Sequence, residues 1–205
     1  MKKFELTNEF ITNMFGTKLF RIRALVEFGD VEAGELGGYV EKESNLGHDD
    51  NAWVYDNAWV YGNARVYGDA QVSGDARVYD NAWVYGDAQV SGDALVYGNA
   101  RVYGNAWVYG NAWVYGNALV CSDEDYAYAH GFGSVNRTTT FFRLKDGGVG
   151  VRCGCFYGTL AQFRDKIRET HGETKKAQEY LMLADLMELR FEEDENEVGN
   201  RKYVE

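Results

Sequence analysis

Small apolar residues recur with a six-residue period through the middle of the chain. Twelve hexapeptides follow one another without a gap over residues 51–122. The second position of each hexapeptide is Ala and the fourth is Val, while the third and fifth are mostly aromatic or polar. Short periodic units of this kind predict a solenoid, in which each unit buries its apolar side only against its neighbours.

The alternation of side chains along a strand decides which positions face inward. Positions two and four lie on one side of the strand, and positions three and five lie on the other. Ala and Val are small enough for a narrow interior, whereas an inward Arg would be an unpaired buried charge. Position six is mostly Gly and position one is always Asn or Asp, which accept the positive φ of a tight corner. Each hexapeptide is therefore predicted to be one short strand and one corner.

Counted from the Val, the repeat reads V-Y-G-N-A-x and resembles the aliphatic-x-x-x-small-x hexapeptide of the left-handed β-helix superfamily. The resemblance implies a mainly β fold, a left-handed parallel β-helix of about four triangular coils in which residue i stacks on residue i+18. The best-known members of that superfamily are trimeric acyltransferases. The second position of this motif is mostly Tyr here, where the superfamily usually has a small or acidic residue.

Stacking of the coils arranges the outward side chains in columns. The predicted partner-binding residues are the column Arg65, Trp83 and Arg101, the adjacent column Tyr67, Tyr85 and Tyr103, and Trp53 and Trp107 on another face. Exposed aromatic area usually marks an interface, and alternating guanidinium and indole groups permit cation–π contacts. We therefore predict a protein partner. Stacked Tyr side chains also stabilise neighbouring strands, so a structural role is one alternative. Self-association and docking of the chain's own C-terminal region are the others.

The segments on either side of the repeat differ from it and predict separate parts. The predicted division is an N-terminal strand and solenoid cap in 1–50, the β-helix in 51–122, a linker and a small ββαα region in 123–191, and an acidic tail in 192–205. The N-terminal strand is expected within residues 18–28, followed by a glycine-rich irregular first coil. The ββαα region is too small to bury much surface alone, so we expect it to pack against the solenoid.

The predicted helices of the C-terminal region carry recognisable ends. Thr159 opens the first helix with Gln162 three residues later, which is the pattern of a capping box, and His171 with Gly172 ends it. A second helix is predicted from about residue 174 to residue 191 by its apolar positions at helical spacing. A strand–turn–strand pattern with a Gly-containing turn precedes both helices.

Three flanking motifs, FGTKLFRIRALVEFG, AGELGGYVEKE and CGCFYGTLAQF, resemble those of uncharacterised hexapeptide-repeat proteins from bacterial and phage genomes. This resemblance implies an origin and brings no assigned activity. If the protein is phage-encoded, its partner would be a host defence complex such as a CRISPR effector, and the protein would inhibit that complex.

Charge and composition narrow the classes of partner. The chain has a formal net charge of −11, and none of its segments is rich enough in Lys and Arg to be positively charged overall. Direct binding to nucleic acid is not expected, because such affinity comes from clustered Lys and Arg. Apolar runs are short and broken by charge, so no membrane span is expected. The start of the chain lacks an apolar signal core, and the three cysteines form no disulfide framework, which favours the cytoplasm.

Candidate chemistry is sparse. The preferred prediction is a non-enzymatic protein with no catalytic residue, no cofactor and no metal site. The alternative is a hexapeptide-type acyltransferase that uses acyl-CoA, with His130 just past the last hexapeptide as the general base. Cys153 and Cys155 lack the companions of a metal site and are expected to be buried reduced thiols. A dimer or trimer is compatible with the resemblance.

Overall fold

The computed structural model describes residues 1–133 and 136–192. The N-terminal strands are β1 (Phe4–Thr12), β2 (Lys18–Ala24) and β3 (Leu36–Val40). Twelve two-residue strands follow: β4 (Trp53–Val54), β5 (Trp59–Val60), β6 (Arg65–Val66), β7 (Gln71–Val72), β8 (Arg77–Val78), β9 (Trp83–Val84), β10 (Gln89–Val90), β11 (Leu95–Val96), β12 (Arg101–Val102), β13 (Trp107–Val108), β14 (Trp113–Val114) and β15 (Leu119–Val120). The C-terminal elements are β16 (Tyr126–Phe132), β17 (Arg137–Arg143), β18 (Val149–Cys153), β19 (Phe156–Thr159), α1 (Leu160–His171) and α2 (Lys175–Phe191).

The short strands form a parallel β-solenoid with three faces. Gln89 pairs with Gln71 on one side and with Trp107 on the other, which confirms that a coil is 18 residues long. We call β4, β7, β10 and β13 the first face, β5, β8, β11 and β14 the second face, and β6, β9, β12 and β15 the third face. The predicted fold class, mainly β with a parallel β-helix, is confirmed.

The interior of the solenoid is built as the repeat predicts. The Ala and Val side chains of all twelve hexapeptides are buried, with at most 1% of their surface exposed. The irregular segment before the repeat adds a further turn, because β3 pairs in parallel with β5 and Leu46 forms a parallel bridge to Val66. The solenoid therefore has about five turns, one more than the hexapeptides supply.

The N-terminal residues close the first end of the solenoid. The strands β1 and β2 pair in antiparallel fashion and continue the second-face sheet beyond β3. Lys3 is buried, and its Nζ donates hydrogen bonds to the carbonyl oxygens of Asp50 at 3.1 Å and Ala52 at 2.8 Å. Burial lowers the pKa of Lys3 to about 8. The strand β1 was not predicted, since its pattern is too mixed to indicate a strand.

The C-terminal region is a four-stranded antiparallel sheet with two helices. The predicted hairpin is formed by β17 and β18. The predicted capping box at the start of α1 is also present, and in it the Gln162 backbone N–H donates a hydrogen bond to Thr159 Oγ1 at 3.3 Å. The segment after residue 122, predicted as a linker and cap, forms a 3₁₀ turn, Asp123–Asp125, and the strand β16. The predicted acidic tail, residues 192–205, lies outside the described residues apart from Glu192.

A buried ion pair joins the solenoid to the C-terminal sheet. Asp125 accepts a hydrogen bond from Arg143 Nε at 3.0 Å, and both side chains are at most 5% exposed. The same carboxylate accepts the backbone amides of Cys121 at 3.0 Å and Ser122 at 3.2 Å. The acidic turn Asp123–Asp125 therefore ends the solenoid with one of its carboxylates buried. Removal of either Asp125 or Arg143 would leave a buried charge uncompensated.

We predict that Gly104→Ala destabilises the protein more than Gly147→Ala. Both glycines have positive φ, +61° and +85°, so both substitutions incur about 1–2 kcal/mol of backbone strain. A Cβ on Gly104 would lie 2.5 Å from the Cys121 carbonyl oxygen, whereas one on Gly147 would meet nothing within 4 Å. Urea unfolding followed by circular dichroism should show an additional loss of about 1–3 kcal/mol for Gly104→Ala. Equal losses would contradict the stacking of the corners.

Candidate functional site

The third face presents a column of alternating guanidinium and indole groups. Trp83 lies between two arginines, with the Arg65 guanidinium 5.7 Å and the Arg101 guanidinium 5.0 Å from its ring centroid. The strand register produces this arrangement, since Arg65 and Arg101 each pair directly with Trp83 of β9. Stacking against the indole restricts the freedom of both long side chains.

A ladder of tyrosines runs beside this column. The Tyr67, Tyr85 and Tyr103 rings are stacked, with centroids 5.0 and 5.1 Å apart and interplanar angles of 1° and 7°. The ladder also contacts the indole: the Tyr67 and Trp83 ring centroids are 6.1 Å apart, with an interplanar angle of 77°. The two columns thus form one continuous surface, which we call the Arg–Trp–Tyr face: Arg65, Trp83, Arg101, Tyr67, Tyr85 and Tyr103.

The Arg–Trp–Tyr face carries positive charge without an acidic counterpart. Within residues 1–133 and 136–192, neither Arg65 nor Arg101 forms an ion pair, although Arg101 contacts the Tyr85 hydroxyl. Burial raises the pKa of Tyr85, and the neighbouring Arg101 partly opposes this shift. The face therefore offers two oriented guanidinium groups and neutral phenols.

Trp53 does not belong to an exposed surface, which corrects its prediction as a partner-binding residue. Its side chain is fully buried, with Phe28 at 5.3 Å and Phe4 at 6.2 Å from its ring centroid. The N-terminal segment covers the first coil on this face. Sequence reasoning treated the third position of every hexapeptide as exposed. A side chain that points out of the coil is nevertheless buried where another segment packs on it.

Trp107 is exposed, but it lies on the first face, away from the Arg–Trp–Tyr face. Its side chain is 48% exposed, and its indole N–H donates a hydrogen bond to Ser91 Oγ at 3.2 Å. Tyr109 packs beside it at 5.2 Å. The predicted aromatic set is therefore divided between two surfaces.

The second face carries a longer tyrosine ladder that the C-terminal sheet closes. Its members are Tyr61, Tyr79, Tyr97 and Tyr115, stacked at 5.0, 4.8 and 4.6 Å. Tyr157 of β19 packs on the last ring at 4.3 Å. Burial raises the pKa of all four ladder phenols, in Tyr115 to about 12. The ladder of this face thus continues into the C-terminal sheet through ring contacts.

Sequence reasoning missed Arg152 as a member of the second face. Its guanidinium lies 4.8 Å from the Trp113 ring centroid and 5.5 Å from that of Tyr115. Arg152 belongs to β18, far from the repeat in sequence, so its approach depends on how the C-terminal sheet docks. Trp113 participates in that docking, because its backbone amide donates to Thr140 Oγ1 at 3.0 Å.

The candidate catalytic residue His130 is exposed on β16. Its Nδ1 lies 2.9 Å from Thr138 Oγ1, which is its only hydrogen-bond partner among the described residues, so no carboxylate orients the ring as a general base usually requires. Cys155 is exposed, so the prediction that both C-terminal thiols are buried is wrong for it, and Cys153 is partly buried against Thr139. No group of three His, Cys, Asp or Glu side chains within the described ranges could hold a metal ion.

Comparison with known proteins gives the same class of structure. Five stretches match the model of the YdcK beta solenoid repeat, at residues 58–70, 70–86, 88–104, 96–110 and 100–116. The matched stretches lie in the hexapeptide region, and they show a β-solenoid repeat protein. No curated protein matches the chain. In the part of the chain that the structure describes, neither α1 nor α2 is long and apolar enough to cross a membrane.

We expect Trp53→Ala to reduce stability strongly and Trp107→Ala to leave it almost unchanged. The first substitution removes a fully buried indole, at a cost of about 3–5 kcal/mol, whereas the second removes a half-exposed one. Chemical unfolding of the two variants checks this difference. Similar losses would show that the N-terminal segment does not cover the first coil.

Ionisation of the second-face tyrosine ladder should lower the stability of the protein in alkaline solution. Because burial raises the folded-state pKa of Tyr115 to about 12, its contribution is fully present below the ordinary phenol pKa of about 10 and is lost as the pH rises from there to about 12. Urea unfolding across this range should show a falling free energy, and phenolate absorbance should follow the ladder's ionisation. Tyr115→Phe should reduce the slope. A free energy independent of pH would contradict the burial of the ladder.

Proposed function

We propose that the protein is a non-enzymatic interaction module that binds a protein partner through the Arg–Trp–Tyr face. The observation that carries this proposal is the Trp83 indole between two guanidinium groups that lack an acidic partner within the described residues. Trp, Tyr and Arg are the residues most enriched among those that dominate binding energy at protein interfaces.

The rigidity of the face favours binding. The backbone of each coil is fixed by hydrogen bonds to the next coil, as between Arg65 N and Ala82 O at 3.0 Å and between Trp83 N and Ala100 O at 2.9 Å. Side chains held in place by stacking lose little conformational freedom when a partner binds, so more of the contact energy remains as affinity.

The charge of the face indicates the chemistry of the partner. Arg65 and Arg101 are two coils apart, about 10 Å at the usual strand spacing. A partner with carboxylates at a similar separation, flanking an apolar side chain, would satisfy both guanidinium groups and cover the aromatic edge. The chain as a whole is acidic, with a net charge of −11, so this face is a local exception to the overall charge.

The finer identity of the partner rests on resemblance alone. Inhibition of a host defence complex, for example a CRISPR effector, by a phage-encoded protein is the hypothesis that the flanking motifs suggest. A homo-oligomeric state, dimer or trimer, is also a prediction from resemblance, whereas a cytoplasmic location is predicted from the start of the chain and from its cysteines. Sedimentation velocity of the purified chain would establish whether it associates with itself.

The alternative function is acyl transfer from acyl-CoA with His130 as the base. Its support is the position of His130 beside a cleft after the last coil. Acyl transfer requires turnover of acetyl-CoA that His130→Ala abolishes. Absence of turnover, together with an unchanged melting temperature in millimolar acetyl-CoA, would refute it.

The interaction face is tested by a triple substitution, Arg65→Ala, Trp83→Ala and Arg101→Ala, in the tagged full-length chain. Arg77→Ala is the matched control, because Arg77 also stacks on a tryptophan of the repeat, Trp59 at 4.3 Å, but on the second face. Pull-down from bacterial lysate with mass spectrometry should recover a protein with the wild type and the control and lose it with the triple variant.

Purified components give the magnitude of the effect. With the recovered partner, Arg101→Ala alone should weaken binding by about 2 kcal/mol, the size typical of a dominant interface residue. Circular dichroism confirms that each variant is folded. Partner binding that persists in a folded triple variant would refute the assignment of this face.

A further inference from the structure

A cleft of about 430 Å³ lies between the last coil and the C-terminal sheet. Trp113 of the second face forms one wall, and Arg152 and Gly154 of the C-terminal sheet contribute another. The hairpin of β16 and β17 completes the cleft with His130, Arg137 and Thr138. Its volume falls within the range of small-molecule sites, about 300–1,000 Å³.

The lining of this cleft is positively charged, and no carboxylate belongs to it among the described residues. Arg137 and Arg152 both contribute to the wall, together with His130. Neither arginine forms an ion pair with any residue in 1–133 or 136–192, in a chain whose net charge is −11. Two guanidinium groups that line one concave site can both donate charge-assisted hydrogen bonds to an anion bound there.

The basic groups are positioned by contacts at the back of the cleft. The Arg152 guanidinium lies against Trp113 at 4.8 Å, and its Nη1 donates to the Phe156 carbonyl oxygen at 3.1 Å. Its Nε is buried and has no hydrogen-bond partner among the described residues. His130 is oriented by the 2.9 Å contact of Nδ1 with Thr138 Oγ1, and its Nε2 has no partner in the same residues.

We propose that this cleft binds a small anionic ligand, with Arg137 and Arg152 contacting its phosphate or carboxylate group. Guanidinium groups match the planar or tetrahedral oxygens of such anions and form strong charge-assisted hydrogen bonds with them. The cleft is separate from the Arg–Trp–Tyr face, so this binding activity is independent of the proposed protein interaction. It involves no chemical step.

Binding to the full-length chain is measured by isothermal titration calorimetry with inorganic phosphate, pyrophosphate and citrate, at ionic strength held constant with potassium chloride. At least one of these anions should bind saturably, and Arg137→Gln should weaken that binding about tenfold or more, as expected for one lost charge-assisted hydrogen bond. Preference for pyrophosphate over citrate would assign the ligand to the phosphates, and the reverse preference to the carboxylates.

Two controls locate the binding. Arg168→Gln removes an exposed guanidinium of α1 that is paired with Asp165 at 3.4 Å, and it should leave the affinity unchanged. The indole N–H resonance of Trp113, assigned with Trp113→Phe, should shift on titration because this ring lines the cleft. Absence of saturable binding up to about 10 mM of any of the three anions would overturn the proposal. Equal weakening by Arg168→Gln and Arg137→Gln would also overturn it, because the binding would then reflect general charge.

Discussion

The interior of the coil has room only for Ala and Val, and most features of the surface follow from this limit. All twelve pairs of these residues are buried, so the bulky third and fifth positions of each hexapeptide must face outward. The parallel register then places equivalent residues 18 apart in direct contact. A narrow core therefore produces columns of large side chains, and the composition of each column determines the chemistry of its face.

The two ends of the solenoid determine which columns remain accessible. At the first end, Phe4 and Phe28 cover Trp53, and Lys3 satisfies carbonyl oxygens of the first coil. At the other end, Tyr157 closes the second-face ladder. Among the described residues, the aromatic rings of the Arg–Trp–Tyr face form ring–ring contacts only with one another. An interface proposed on that face thus rests on the absence of aromatic partners from the flanking segments as well as on its own residues.

The repeat allowed the solenoid to be predicted almost completely, because burial, corner and register all recur in it. The Arg65–Trp83–Arg101 column could be predicted for the same reason, since its members occupy equivalent positions in successive coils. Packing of the C-terminal region on the solenoid could be predicted from its small size, but the residues that make the contacts could not. The burial of Trp53 and the approach of Arg152 to Trp113 depend on contacts between segments distant in sequence, which no periodic pattern encodes.

The acidic turn after the repeat was misinterpreted for a related reason. A run of carboxylates normally indicates a solvated segment, but Asp125 is buried by its ion pair with Arg143. Its partner lies on β17, so the turn is recognisable only when both strands of the sheet are in place. The same docking forms the cleft between the solenoid and the C-terminal sheet.

Site-specific photo-crosslinking in bacteria tests the interaction face most directly. A photoreactive phenylalanine derivative at Tyr85 or at Tyr109 replaces one ring by another, on the third and first faces respectively. If the Arg–Trp–Tyr face binds a protein partner, irradiation should give a discrete crosslinked product from position 85 and none from position 109. A product from position 109 alone, or none from position 85 in the presence of the recovered partner, would contradict it.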